Sequence, residues 1–114
     1  MAGMATPSTL GNAPVRVVIT YQAAPGRRGE VADLLAALGE ALEPILLTRG
    51  RRSLSEDPSR PGRFVETLAF PNEETRASFD VFQMRSRTAG AINASLEELL
   101  EAERCDFQVF RSRQ

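Results

Sequence analysis

Gly62-Arg63-Phe64-Val65-Glu66-Thr67-Leu68-Ala69-Phe70, followed by Pro71-Asn72-Glu73-Glu74, is the stretch on which the fold turns. Side chains of an extended chain alternate between two faces. Phe64, Glu66, Leu68 and Phe70 therefore share one face, and Arg63, Val65, Thr67 and Ala69 the other. Pro61 and Gly62 stand just before the run and Pro71 just after it, where strands begin and end. Asn72 suits a helix N-cap, and the carboxylates of Glu73 and Glu74 suit the positive end of a helix. A strand that hands over directly to a helix is expected here.

Upstream, Asp57-Pro58-Ser59-Arg60-Pro61-Gly62 is dense turn chemistry. It joins the strand as a hairpin to Arg51–Glu56, a short polar segment that reads as an edge strand. Further back, Val15, Val17, Ile19 and Tyr21 alternate with Arg16, Val18 and Thr20, a first strand ended by Ala23-Ala24-Pro25-Gly26. From about Arg27 to Leu47 the apolar period becomes 3.6, with Val31, Leu34, Leu35, Leu38, Leu42, Ile45 and Leu46 in one stripe. Pro44 removes the bond its N–H would give to the Glu40 carbonyl, so a kink or early end is expected there. Gly50 is a plausible stop.

Downstream, a second helical region is expected from about Glu73 to Glu103, in two pieces broken near Ser86 to Gly90. Phe79, Val81 and Phe82 mark the first piece; Ile92, Leu96, Leu99 and Leu100 mark the second. Glu97, Glu98, Glu101 and Glu103 read as its solvated face, not as a metal site. Cys105 to Arg111 closes the chain as a strand, Cys105, Phe107 and Val109 alternating with Asp106, Gln108 and Phe110.

The order β-α-β-β-α-β is the ferredoxin-like arrangement: a four-stranded antiparallel sheet with both helices on one face. The other face is left uncovered, and the strands carry apolar groups on both sides. An uncovered apolar sheet face is usually a partner surface, so a homodimer through the open sheet face is expected. Residues 1–13, rich in Gly, Ser, Thr and Pro, read as a disordered tail, and residues 14–114 as one domain.

Composition narrows the chemistry by exclusion. The 114 residues carry a net charge of −1, and no basic run with interleaved aromatics suggests a nucleic-acid surface. All 14 basic residues are Arg, which reads as codon usage rather than function. Without His there is no imidazole base or His metal ligand, and without Lys no Schiff base. The single Cys105 excludes an internal disulfide and a thiolate cluster, and reads as a half-buried strand residue. No segment approaches the roughly 18 consecutive apolar residues of a membrane span, and residues 1–13, with no positive n-region and no apolar h-region, do not read as a signal peptide. A cytoplasmic protein without metal or redox cofactor is expected.

The segments from Ile19-Thr20-Tyr21 through Ser55-Glu56-Asp57-Pro58 to Arg63-Phe64-Val65-Glu66-Thr67, with the helix after Pro71, resemble the antibiotic-biosynthesis-monooxygenase group of dimeric α+β barrels. The soluble C-terminal domain of some major-facilitator transporters carries a similar segment. The resemblance covers about Pro14 to Phe110. It departs from the group at three positions: Phe70 stands where a Trp is frequent, Leu68 where a Glu is common, and Asp80 where a His is frequent. The haem-degrading branch needs an iron-ligating His and a Trp, and this chain has neither, so haem degradation is not expected.

The resemblance implies a cofactor-independent monooxygenase acting on an aromatic or polyketide-like small molecule. In that chemistry a deprotonated phenol or anthrone-like substrate itself reduces dioxygen. The protein supplies an apolar cavity, a proton acceptor and donors for developing oxyanion charge. Tyr21, Glu66 and Asp80 are the candidate catalytic residues. Arg85 is a further polar candidate in the binding pocket, and Phe70, Phe79 and Phe82 are candidate walls of a cavity between the sheet and the second helix. An aromatic surround disfavours a charged carboxylate and so suits it to accept a proton. The plainer alternatives are that Glu66 pairs with an Arg across the hairpin, such as Arg52, and that Asp80 pairs with Arg76 on the helix surface. The alternative function is a non-catalytic dimerisation or small-ligand-binding module.

Overall fold

The strand that opens at Arg63 lies one place in from the edge of a four-stranded antiparallel sheet. The computed structural model describes residues 13–46 and 50–111, with the backbone alone for 102–107 and 111. The elements are β1 (Val15–Ala23), α1 (Arg28–Leu46), β2 (Arg51–Glu56), β3 (Arg63–Phe70), α2 (Glu73–Arg85), α3 (Arg87–Leu99) and β4 (Leu100–Arg111). The strand order is β2-β3-β1-β4. This is the ferredoxin-like α+β arrangement, with the second helical region divided in two. Within one chain the sheet is open. Of the expected tail, residues 1–12 lie outside the described residues, and Ala13 is buried.

Alternation decides which face is covered. Val15, Val17, Tyr21 and Ala23 of β1 and Phe64, Glu66, Leu68 and Phe70 of β3 are buried, and the apolar ones join a single core with the helices. Val15 pairs with Phe70 and Tyr21 with Phe64, so the two inward sets lie side by side. From α1 come Val31, Leu35, Leu38, Leu42 and Leu46, spaced by four and three residues as one helical stripe requires. Each such side chain contributes about 1.5–3 kcal/mol when fully buried.

The helix ends follow local chemistry. Asn72 Oδ1 accepts from the Thr75 N–H at 2.8 Å, capping α2. Ser86 is extended: its N–H donates to the Gln83 carbonyl at 3.1 Å, and its Oγ accepts from the Ala89 N–H at 3.1 Å. One residue thus ends α2 and caps α3, at the near end of the expected break. Pro44 does not stop α1, which continues to Leu46. Two residues from the end, a proline removes a single bond, which the packing of Leu42 and Leu46 outweighs.

The helical reading that ran to Glu103 is corrected. α3 ends at Leu99, and Leu100 opens β4 by pairing with Ala23 across a register shift in β1. Glu101 and Glu103 therefore belong to a strand, not to the helix face of Glu97 and Glu98. Leu-Glu-Ala-Glu-Arg favours helix locally. The free edge of β1, whose N–H and C=O groups need partners, takes it into the sheet instead. Cys105 lies in β4, and its side chain is outside the described set.

Candidate functional site

β3 aims Glu66 at the helix-covered face between Phe64 and Leu68, directly beside Ile19 of β1 and Leu54 of β2. Its diagonal neighbours are Tyr21 on one side and Arg52 on the other, within reach of long side chains. Tyr21 Oη donates to Glu66 Oε1 at 2.7 Å. Arg52 Nε donates to Glu66 Oε2, and Arg52 Nη2 donates to the Leu35 carbonyl at 2.8 Å. Glu66 is 1% exposed and the Arg52 side chain 13%. A carboxylate withdrawn this far from water needs its charge matched and its lone pairs filled; here both conditions are met.

Arg52 also borders a groove of about 440 Å³ between α1 and β2, lined by Ala36, Gly39, Glu40, Glu43, Leu46, Gly50 and Arg52. Gly39 makes this approach possible, because a Cβ there would overlap Arg52 Nη1. At the groove's other end a Cβ on Gly50 would press on Leu46 and the Phe70 ring.

The remaining candidates, Phe70 at the end of β3 and Phe79, Asp80, Phe82 and Arg85 of α2, divide by burial. Phe70 and Phe79 are buried, their ring centroids 5.2 Å apart and tilted by 48°. Phe82 is 57% exposed, with Val81 and Met84 also outward, and Arg85 is exposed. Asp80, 48% exposed, pairs with Arg76 on the same helix, and Glu73 holds the other side of that guanidinium at 2.7 and 2.9 Å. The hydrogen bonds that Arg76 donates to Glu73, with the nearby charge of Asp80, hold the Arg76 pKa above its ordinary value against the opposing effect of burial.

The structure therefore brings Tyr21, Glu66, Phe70 and Phe79 to one face and leaves Asp80, Phe82 and Arg85 outside it. The cavity expected beside the second helix, walled by Phe82, does not form with that residue. The groove described is lined instead by α1 and the start of β2, with no residue of α2 in its wall. Its residues Gly39, Glu40 and Glu43 escaped the sequence reading. The usable signal was a glycine inside a helical pattern, which usually has a packing reason. Among the described residues no group of three or more His, Cys, Asp or Glu could hold a metal ion, and no helix is long and apolar enough to cross a membrane.

No protein-family model matches the chain, and no curated protein is significantly similar to it. Solved structures are similar. A conserved protein from Methanosarcina mazei Go1 superposes with a TM-score of 0.71 at 19% identity, over 91% of this chain and 97% of that one. SnoaB, a cofactor-independent oxygenase from Streptomyces nogalater, gives 0.68 at 13% identity, over 90% and 95%. An antibiotic biosynthesis monooxygenase gives 0.67 at 18% identity, over 88% and 97%. At such identities the likeness is one of fold: the chain has the α+β fold of the antibiotic-biosynthesis-monooxygenase-like proteins.

Proposed function

We propose, taking that shared fold as the premise, that this chain acts as a cytoplasmic homodimer that binds an aromatic or polyketide-like small molecule and supports its oxygenation without a cofactor. Glu66 accepts the substrate's proton, and Tyr21 and Arg52 hold the carboxylate in place. The supporting observation is the carboxylate itself, set on the core face of β3 and held by a phenol and a guanidinium.

The reaction is written for an anthrone. The acidic C–H gives its proton to Glu66, and the resulting carbanion gives its electrons to dioxygen. The peroxide that forms loses water to leave a new carbonyl, so CH2 and O2 become C=O and H2O. The side chains supply charge placement and a water-poor surround, while the substrate supplies the electrons. Phe70 and Phe79 contribute the apolar surround. Asp80, Phe82 and Arg85, on the outer side of α2, take no part.

Oxygen consumption with anthrone tests this reading. The wild-type chain should consume one dioxygen per anthrone, and Glu66→Gln should lower the rate by about 10²-fold or more, the ordinary contribution of a positioned base. The second reading, a non-catalytic ligand-binding or dimerisation module, is favoured by the pairing of Glu66 with both Tyr21 and Arg52, as in a structural ion pair. A wild-type chain that binds ligand without consuming oxygen supports that reading and removes the first.

A further inference from the structure

We propose that the groove between α1 and β2 binds a small amine that also carries a hydrogen-bond-accepting oxygen. The inference does not depend on the oxygenase reading, because it concerns binding and is read without turnover.

The volume, about 440 Å³, lies in the range of small-molecule pockets, roughly 300–1,000 Å³. The lining is graded. Ala36, Gly39, Leu46 and Gly50 supply apolar and backbone surface. Arg52 is the least exposed of the three charged lining residues, its Nε and Nη2 committed to Glu66 and Leu35 and its Nη1 lying over Gly39. Glu40 and Glu43 stand one helical turn apart at the solvent side of the groove, both exposed. They enter none of the ion pairs found among the described residues.

The charges decide the ligand's sign. Glu66 already matches the charge of Arg52, so Arg52 offers the groove a hydrogen-bond donor without a net positive charge. Glu40 and Glu43 enter no ion pair among the described residues, so the described lining carries net negative charge. An anion is repelled; an ammonium group is drawn to the rim while an oxygen on the same molecule accepts from Nη1.

Gly39 is the sign that this approach is built in. A glycine inside a helix costs about 1 kcal/mol relative to alanine, and any side chain here would displace the guanidinium from the groove.

Calorimetric titration of the full chain with three probes on one phenol ring tests the proposal: tyramine, para-cresol and para-hydroxyphenylacetate. Tyramine should bind saturably and tightest, about three- to tenfold above para-cresol for two exposed charges, with the acid weakest and the tyramine preference falling as salt rises. Glu40→Gln with Glu43→Gln should bring tyramine down to the para-cresol level. Ala36→Trp, at an exposed helix position, should fill the groove and abolish binding, with an unchanged circular dichroism spectrum. Absence of saturable tyramine binding, equal affinity for the three probes, or binding that survives Ala36→Trp each overturns the proposal. None of those results bears on oxygen consumption with anthrone, which tests the oxygenase reading separately.

Discussion

At Glu66 the protein has placed a charge where water does not reach, and its stability depends on two residues keeping that charge matched. Removing one member of a buried ion pair leaves the other unmatched, at a cost of about 3–5 kcal/mol. Glu66→Ala should lower the urea midpoint accordingly with an unchanged slope. The double substitution Arg52→Met with Glu66→Leu should recover most of the loss, since apolar groups of similar volume need no partner. Recovery no better than the sum of the two single losses would mean that the pair's geometry, rather than its charge, holds the core. The period of two put Glu66 on the inner face from sequence, and hairpin pairing made Arg52 a natural partner. The i, i+4 spacing of Arg76 and Asp80 likewise foretold their surface pair. The face of α2 was harder to read. Phe79, Val81 and Phe82 cannot all point inward from one helix. The buried pair is Thr75 and Phe79, four residues apart, and the cap that satisfies Thr75 Oγ1 at 2.8 Å lets a polar side chain take the inner position.

Among the elements, the β2–β3 hairpin is tied to α1 by one carboxylate. Glu56 accepts from both Arg28 Nε and Nη2 at 2.5 Å and from the Gly62 N–H at 2.9 Å, where Gly62 turns with φ of 86°. The hydrogen bonds from Arg28, and then that from Gly62, hold the Glu56 pKa below its ordinary value of 4.5. Ser59 does the same for Asp57 inside the turn. A depressed folded-state pKa means that the stabilisation is complete above the ordinary carboxylate range and disappears as pH falls through the lowered value. Glu56→Gln should therefore be less stable than wild type at neutral pH. The gap between their urea midpoints should close as pH falls below 4.5; a gap constant with pH would assign the effect to shape instead of charge. The hairpin was legible because its turn residues are local. The α3–β4 boundary was not, because what ends the helix at Leu99 is the unpaired edge of β1, some 80 positions earlier in the chain.

For the molecule as a whole, the face away from the helices is the unresolved surface. Arg16, Val18 and Thr20 of β1 lie beside Ala69, Thr67 and Val65 of β3. Phe110, 44% exposed, lies beside Arg16, whose guanidinium sits 5.2 Å from the ring centroid. Covering several hundred Å² of such surface at roughly 25 cal/mol per Å² favours association by many kcal/mol before ordering costs, and a two-fold axis lets one face serve both copies. Light scattering over a dilution series should show a dimer at tens of micromolar, and Val65→Asp should dissociate it. A monomeric wild type would remove the proposed homodimer, and a dimer indifferent to the charge would place the interface elsewhere. The two-faced apolar pattern of the strands made this surface visible from sequence, but what covers it depends on a second molecule. The strand order has one more consequence, which concerns the making of the chain. β1 is synthesised first yet sits in the middle, between β3 and the last-made β4. On the ribosome its second edge stays unpaired until β4 has been made, so a message cut short before Leu100 yields a chain with a naked central strand, the template on which nascent chains stick to one another.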